Sequence, residues 1–164
     1  MRSLYLVRHA KSSWAEPGLN DSSRPLNGRG KHDAPLMGKL LKKLGASPEV
    51  LITSPAKRAK STAKRIAAEL SFDKKNLVEN DQLYLADIDD FIDVIKKVQD
   101  KHKEIMIFSH NYGITDFANY ISDSGIENIP TCGAVRIDFD MDSWNSIKEK
   151  KGKLVFFEYP KKSI

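Results

Sequence analysis

The sequence predicts an α/β fold, a three-layer α/β/α sandwich with a mostly parallel central sheet. Two observations predict it. Short apolar runs alternate along the chain with stretches whose apolar residues recur at helical spacing. Strand and helix taking turns in this way build a mostly parallel sheet covered by helices on both faces. Three clusters of polar residues also begin where an apolar run ends, which is where open α/β sheets bind ligands. The 164 residues fit one domain spanning 1–164, and no repeat, low-complexity tract or linker divides them.

Leu4–Val7 is the first strand. A helix follows, starting between Gly30 and Asp33, with Met37, Leu40, Leu41 and Leu44 at helical spacing. Pro35 is tolerable only in its first turn, and Gly45 is a natural C-cap. Val50–Thr53 is the second strand. Lys57–Leu70 then places Ala59, Ala63, Ile66, Ala67 and Leu70 on one helical face, and Asp89–Lys101 does the same with Phe91, Val94, Ile95 and Val98. Ile105–Phe108 is a third buried strand, followed by a helix carrying Ile114, Phe117, Ala118 and Ile121. Ala134–Phe139 and Leu154–Tyr159 read as strands nearer the sheet edge, since Val135, Ile137 and Phe139 alternate with Arg136 and Asp138.

Composition narrows the function classes. With 40% hydrophobic and 30% charged residues the chain is too apolar for a disordered segment. Its net charge of +5 is spread over lysine-rich stretches such as Lys57–Arg65 and Lys148–Lys153. These form a solvated basic surface that can also attract phosphorylated partners. No nucleic-acid partner is expected, because no recognition motif or aromatic-interleaved basic stripe accompanies the charge. Cys132 is the only cysteine, which excludes an internal disulfide and points to a reducing compartment. The start MRSLYLVRHAK lacks the long apolar core of a signal peptide, and no apolar run approaches the roughly 20 residues of a membrane span. A cytoplasmic protein without a membrane partner is expected.

The three clusters are Arg8-His9, Ser54–Arg58 and Ser109-His110-Asn111. If their strands are neighbours, Arg8, His9, Arg58 and His110 converge on one pocket. Two arginines and two histidines suit a phosphoryl group. Arginine presents a planar, always-charged fork that matches phosphate oxygens. One neutral imidazole can attack phosphorus while the other donates to an equatorial oxygen. Helix N-termini near Arg58 and Gly113 add backbone N–H groups. No carboxylate or cysteine cluster with metal-ligand spacing accompanies them, so a metal is not required.

The same residues carry a resemblance. LVRHAKSSW (6–14) is similar to the RHG-type signature of the histidine phosphatase superfamily, with Ala10 where many members have glycine. SPAKRAKSTA (54–63) resembles its second motif, SPxxRAxxTA, and FSHNYGI (108–114) its GHN-type third, with Ser109 in place of glycine. RPLNGRG (24–30), LYLA (83–86) and Trp144 resemble the small SixA-like branch in order and spacing. The resemblance covers essentially the whole chain. It implies a phosphohistidine formed at His9 and then hydrolysed by water, with Arg8, Arg58 and His110 holding the phosphate, and no metal or organic cofactor. Ala15 stands where phosphoglycerate mutases carry asparagine, and long capping insertions are absent. Both departures argue against a mutase and for an open site. That site suits a phosphohistidine-bearing protein, or slow hydrolysis of small phosphoesters.

Other residues are weighed against plainer roles. Ser12 is expected to line the phosphate site, and Trp14 to line it or to anchor its loop by packing. Arg24 and Arg29 lie in a loop that either borders the pocket or is simply solvated. Asp21 is expected to pair with a loop arginine, and His32 and His102 to be surface residues. Glu79, Asp81 and Asp87 lie where larger superfamily members keep a proton-donating carboxylate, but Asp87 is expected to cap a helix. Two rivals stand beside the enzyme: a non-catalytic phosphate- or phosphoprotein-binding domain, which His9 argues against, and a basic nucleic-acid binder.

Overall fold

Strands that are apolar on both sides need cover on both sides, and the sheet here receives it. The structure, a computed structural model, describes residues 1–163. Strands β1 (Arg2–Arg8), β2 (Val50–Thr53), β3 (Leu77–Glu79), β4 (Glu104–Ser109), β5 (Ala134–Phe139) and β6 (Lys153–Glu158) form one sheet in the order β3-β2-β4-β1-β5-β6. The pairings from β3 to β1 are parallel, and those of β5 with β1 and β6 are antiparallel. Helices α1 (Gly28–Lys43), α2 (Lys57–Glu69), α3 (Ile88–Lys96) and α4 (Gly113–Ile121) supply the outer layers. Among the described residues no helix is long and apolar enough to cross a membrane.

The two-residue period of a strand splits the core in two. Tyr5, Val7, Leu51, Met106 and Phe108 face Met37 and Leu41 of α1 and Ala63, Ile66 and Ala67 of α2. Leu4, Leu6, Ile52, Ile105 and Ile107 face Phe91, Val94 and Ile95 of α3 and Ile114, Phe117 and Ile121 of α4. Each fully buried side chain of this size contributes about 1.5–3 kcal/mol of hydrophobic free energy. Because α1 follows β1 on one face and α4 follows β4 on the other, a crevice opens at the carboxyl ends of these neighbouring strands. Register brings the three strand ends level there, with Arg8 opposite Ser109 and Thr53 opposite Phe108.

Four details depart from the sequence reading. α1 starts before Gly30, because the Asn27 side chain accepts the Gly30 N–H at 2.9 Å and caps the helix earlier. Pro35 therefore lies inside the helix and not in its first turn; the Lys31 carbonyl that loses its donor belongs to an exposed residue. The helix does end at Gly45, whose φ of +91° allows bonds from Gly45 N to Lys42 O and from Ala46 N to Leu41 O. α3 is shorter than Asp89–Lys101. It ends at Lys96, where the Lys97 and Val98 N–H groups turn to tighter bonds with Val94 O and Ile95 O; beyond it Arg2 holds the carbonyls of Asp100 and His102, and Trp144 Nε1 that of His102. The edge strand β3 is too short to show a pattern, and β6 begins one residue before Leu154.

Candidate active site

The residues that follow β1, β2 and β4 meet because their strands are adjacent. His9 N donates to Ser109 O at 3.1 Å, and Ser54 N to Phe108 O at 3.0 Å, so the parallel ladder continues one residue past each strand. The His9 and His110 rings lie with centroids 5.3 Å apart. Arg58 enters from the first turn of α2, 3% exposed, and Arg8 from the last position of β1. The four residues singled out by the sequence thus come together at the carboxyl ends of β1 and β4 and the start of α2.

Second contacts lock this arrangement. Thr62 Oγ1, one turn beyond Arg58, accepts the Ala10 N–H at 2.9 Å and donates to Arg58 O at 2.8 Å, tying the loop after His9 to α2. Gly30 lets α1 approach the same loop, since a Cβ there would meet Lys11 O at 2.2 Å. Ser109 Oγ donates to Leu83 O at 2.7 Å, which fastens the third cluster to the LYLA stretch.

Hydrogen bonding decides which ring nitrogens are available. His9 Nδ1 lies 2.8 Å from Ala10 O. A carbonyl only accepts, so Nδ1 carries the proton and Nε2 keeps its lone pair. Burial lowers the His9 pKa from 6.5 to about 4, and Arg58, Arg8 and Arg24 push the same way against the Ala10 carbonyl. Burial is the largest of these causes. The ring is neutral at pH 7. His110 is lowered to about 3, again by burial first and then by Arg58 and His9. Its Nε2 lies 2.7 Å from Ser54 Oγ, which already accepts the Ala56 N–H at 3.2 Å. The Ser54 hydroxyl proton is free to point at Nε2, and in that tautomer Nδ1 carries the ring proton.

Three buried polar atoms of this pocket have no hydrogen-bond partner: Arg8 Nε, Arg58 Nε and His110 Nδ1. Unpartnered buried donors are costly, at about 1–3 kcal/mol each. Each arginine is gripped instead by its outer nitrogens. Arg8 donates to Ile129 O at 3.0 Å, and Arg58 to Asp21 O at 2.8 Å and Asp21 Oδ2 at 3.0 Å. Both Nε atoms stay buried without a protein partner. This set can hold a tetrahedral anion beside a neutral imidazole.

Asp21 does more than the sequence suggested. Its carboxylate also accepts from both Arg24 Nε and Nη2 (3.3 and 3.2 Å) and from the Tyr84 hydroxyl at 2.5 Å. The Tyr84 bond, followed by those from Arg58 and Arg24, lowers its pKa to about 2 despite partial desolvation. Arg24 is 8% exposed, not a solvated loop residue, and the Ser12 hydroxyl accepts its Nη1 at 2.6 Å. Ser12 therefore touches the site through Arg24. Trp14 does not anchor the loop by burial; it is 74% exposed and stacks on the Arg24 guanidinium, 3.6 Å from the ring centre. Arg29 turns away to pair with Asp33. His32 is exposed and His102 half-buried, both outside the pocket. Tyr84 and Thr62 were in the motifs but had no role assigned; Asp21, three residues before Arg24, was visible only as a possible partner.

None of the carboxylates considered as proton donors bonds a histidine or arginine of the site among the described residues. Asp87 is the N-cap of α3, accepting the Asp90 N–H at 3.0 Å in a reciprocal capping box. Glu79 pairs with Lys60 at 3.6 Å, and Asp81 starts an exposed turn.

Residues 4–84 match the model of the histidine phosphatase superfamily, branch 1. A chloroplast protein of Arabidopsis thaliana with no assigned function is 30% identical over 151 residues, spanning 87% of this chain and 69% of its own length. Among solved structures, the protein histidine phosphatase SixA in complex with tungstate superposes with a TM-score of 0.83 at 18% identity, covering 99% of both chains. The Agrobacterium tumefaciens SixA gives 0.81 at 23% identity over 97% of this chain and 98% of its own. These two structures share its fold.

Proposed function

The chain belongs to the histidine phosphatase superfamily, and from that membership and the site geometry we propose that it is a single-domain phosphatase that removes phosphoryl groups from histidine in proteins through a phosphohistidine at His9. A reducing compartment, the cytoplasm, fits its lone buried cysteine. One observation carries the reading. A neutral His9 with its Nε2 lone pair unprotonated lies 5.3 Å from the His110 ring and within electrostatic reach of Arg58 and Arg8. The Nε2 lone pair forms the new P–N bond as the bond to the leaving group breaks. Arg8, Arg58 and His110 balance the charge on the equatorial oxygens. Water then attacks the same phosphorus, and His9 leaves as imidazole. The arginines supply the positive charge these steps need, so no step calls on a metal.

Phosphohistidine is favoured over alkyl esters by what surrounds the leaving group. Asp21 is the carboxylate of the pocket, and with a pKa of about 2 it is ionised and has no proton to give. Without a positioned acid an alkyl phosphate must expel an alkoxide, forfeiting roughly 10²–10⁴-fold. A phosphoimidazole takes up its own proton from water before the P–N bond breaks. Measuring kcat/KM over leaving groups of graded pKa tests this: phosphohistidine first, aryl phosphates next and alkyl phosphates far behind. A flat profile would refute the substrate assignment. Phosphate binding without turnover of any substrate would leave a binding domain in its place. Trapping of the phosphoryl on a residue other than His9 would refute the mechanism.

A further inference from the structure

Beside the pocket lies an open groove of about 870 Å³ that the proposed chemistry does not use. Tyr84 joins the two, since it lines the groove, meets the His110 ring edge-on at 5.4 Å and bonds Asp21. Along one wall run Lys57, Lys60 and Lys64, whose spacing places them on a single stripe of α2. Arg58, on another face of that helix, points into the active site. Against the three lysines the groove sets one acidic residue, Glu16. Lys60 is partly neutralised by Glu79 at 3.6 Å, while Lys57 and Lys64 are exposed and have no ion pair among the described residues.

The mouth is also apolar. Eight large apolar side chains of the described residues are exposed; one lines the groove and three more lie beside residues of the site or next to Tyr84 in the chain. Leu19 lines the groove, Leu85 follows Tyr84, Trp14 covers Arg24, and Tyr112 lies close enough to Arg8 to influence its charge. Exposed apolar residues gathered at one place and bordered by charge mark a docking surface. A small phosphoester gains nothing from side chains spread this widely, whereas a polypeptide does.

We propose that this groove binds an acidic segment of the phosphoprotein substrate next to its phosphorylated residue, with Lys57 and Lys64 reading the carboxylates. The proposal rests on the phosphatase reading above and adds a preference that reading does not contain. Two or three exposed charge pairs combine to about a tenfold effect, which salt should erode.

The test uses two synthetic peptides phosphorylated on one histidine, flanked by aspartates in one and lysines in the other, with para-nitrophenyl phosphate alongside. The expected result is about tenfold higher kcat/KM on the acidic peptide. In Lys57→Glu/Lys64→Glu this preference should vanish while para-nitrophenyl phosphate is hydrolysed as by the wild type. Fluorescence anisotropy of the labelled peptides on His9→Ala measures the groove without turnover, so failure of the phosphatase reading and failure of this one are told apart. Equal binding and turnover of the two peptides would overturn the proposal. So would an unaltered preference in the charge-reversed variant, or a lysine-dependent preference confined to small bisphosphates.

Discussion

His9 should stay neutral, with its proton on Nδ1, well below the pH at which free imidazole charges. The perturbation is acidification. Burial lowers its pKa from 6.5 to about 4. At pH 6 an ordinary histidine is roughly three-quarters protonated, whereas at this value only about 1% of His9 is. If His9 is the nucleophile, as proposed, activity should persist down to about pH 5 and be half lost near 4. The same difference is a stability term. Between pH 6.5 and about 4 the unfolded chain holds a proton on this ring and the folded one does not. Stability contributed by the neutral ring is thus complete above 6.5 and is lost as pH falls through the folded value. At about 1.4 kcal/mol per pH unit the interval amounts to about 3 kcal/mol. His110, lowered to about 3, adds to acid lability in the same direction, and the two rings repel if both charge. Nitrogen-15 NMR of the histidine rings reads both charge and tautomer, and it avoids the ionisation of a phosphate substrate that clouds kinetic profiles. Urea denaturation at pH 7 and pH 4.5 reads the stability. A His9 ring that titrates near 6.5, or carries its neutral proton on Nε2, would refute the reasoning.

Four substitutions bear on the rest of the site. Asp21→Asn should lower kcat/KM on an aryl phosphate about tenfold, because charge-assisted bonds to Arg58 and Arg24 are lost from a carboxylate only partly shielded from water; an unchanged or faster variant would mean that the carboxylate competes with the phosphoryl group for Arg58. Arg58→Ala should cost about 10²–10³-fold as a donor to the transferring group, and Arg24→Ala, which acts through Asp21 and Ser12, about tenfold; equal losses would show that both arginines touch phosphate. Thr62→Val keeps the shape but removes the acceptor of the Ala10 N–H, so denaturant unfolding should show a loss of about 1–2 kcal/mol. A loss within a few tenths would show that the loop after His9 is held by other contacts.

Much of the framework was legible because each strand announces itself twice, as a run apolar on both faces and as a platform for the polar cluster that follows. Leu4–Val7, Val50–Thr53 and Ile105–Phe108 were found this way, and with them the meeting of Arg8, His9, Arg58 and His110. What escaped depends on contacts distant in sequence. Pattern alone carried α3 to Lys101, but the helix tightens and ends at Lys96, and the stretch after it is tied to the distant Arg2 and Trp144. β3 exists only because Leu51 offers it a partner at Leu77. Asp21 lies in a polar loop with no periodicity, and its link to Tyr84, 63 residues away, has no local signature.

The position of Asp21 also explains why a carboxylate in the pocket does not supply the missing acid. To deliver a proton near neutrality a carboxyl group needs a raised pKa, which demands apolar surroundings or a neighbouring negative charge. Asp21 has the opposite environment: two guanidinium groups and a phenol all favour its ionised form. The same contacts make it a good support, since a permanently charged acceptor fixes the outer nitrogens of Arg58 and leaves Nε free. One residue cannot serve both ends. Holding Arg58 in place fixes the group that could have been an acid in its ionised state, and under the proposed function substrate choice then passes to leaving groups that can find their own proton.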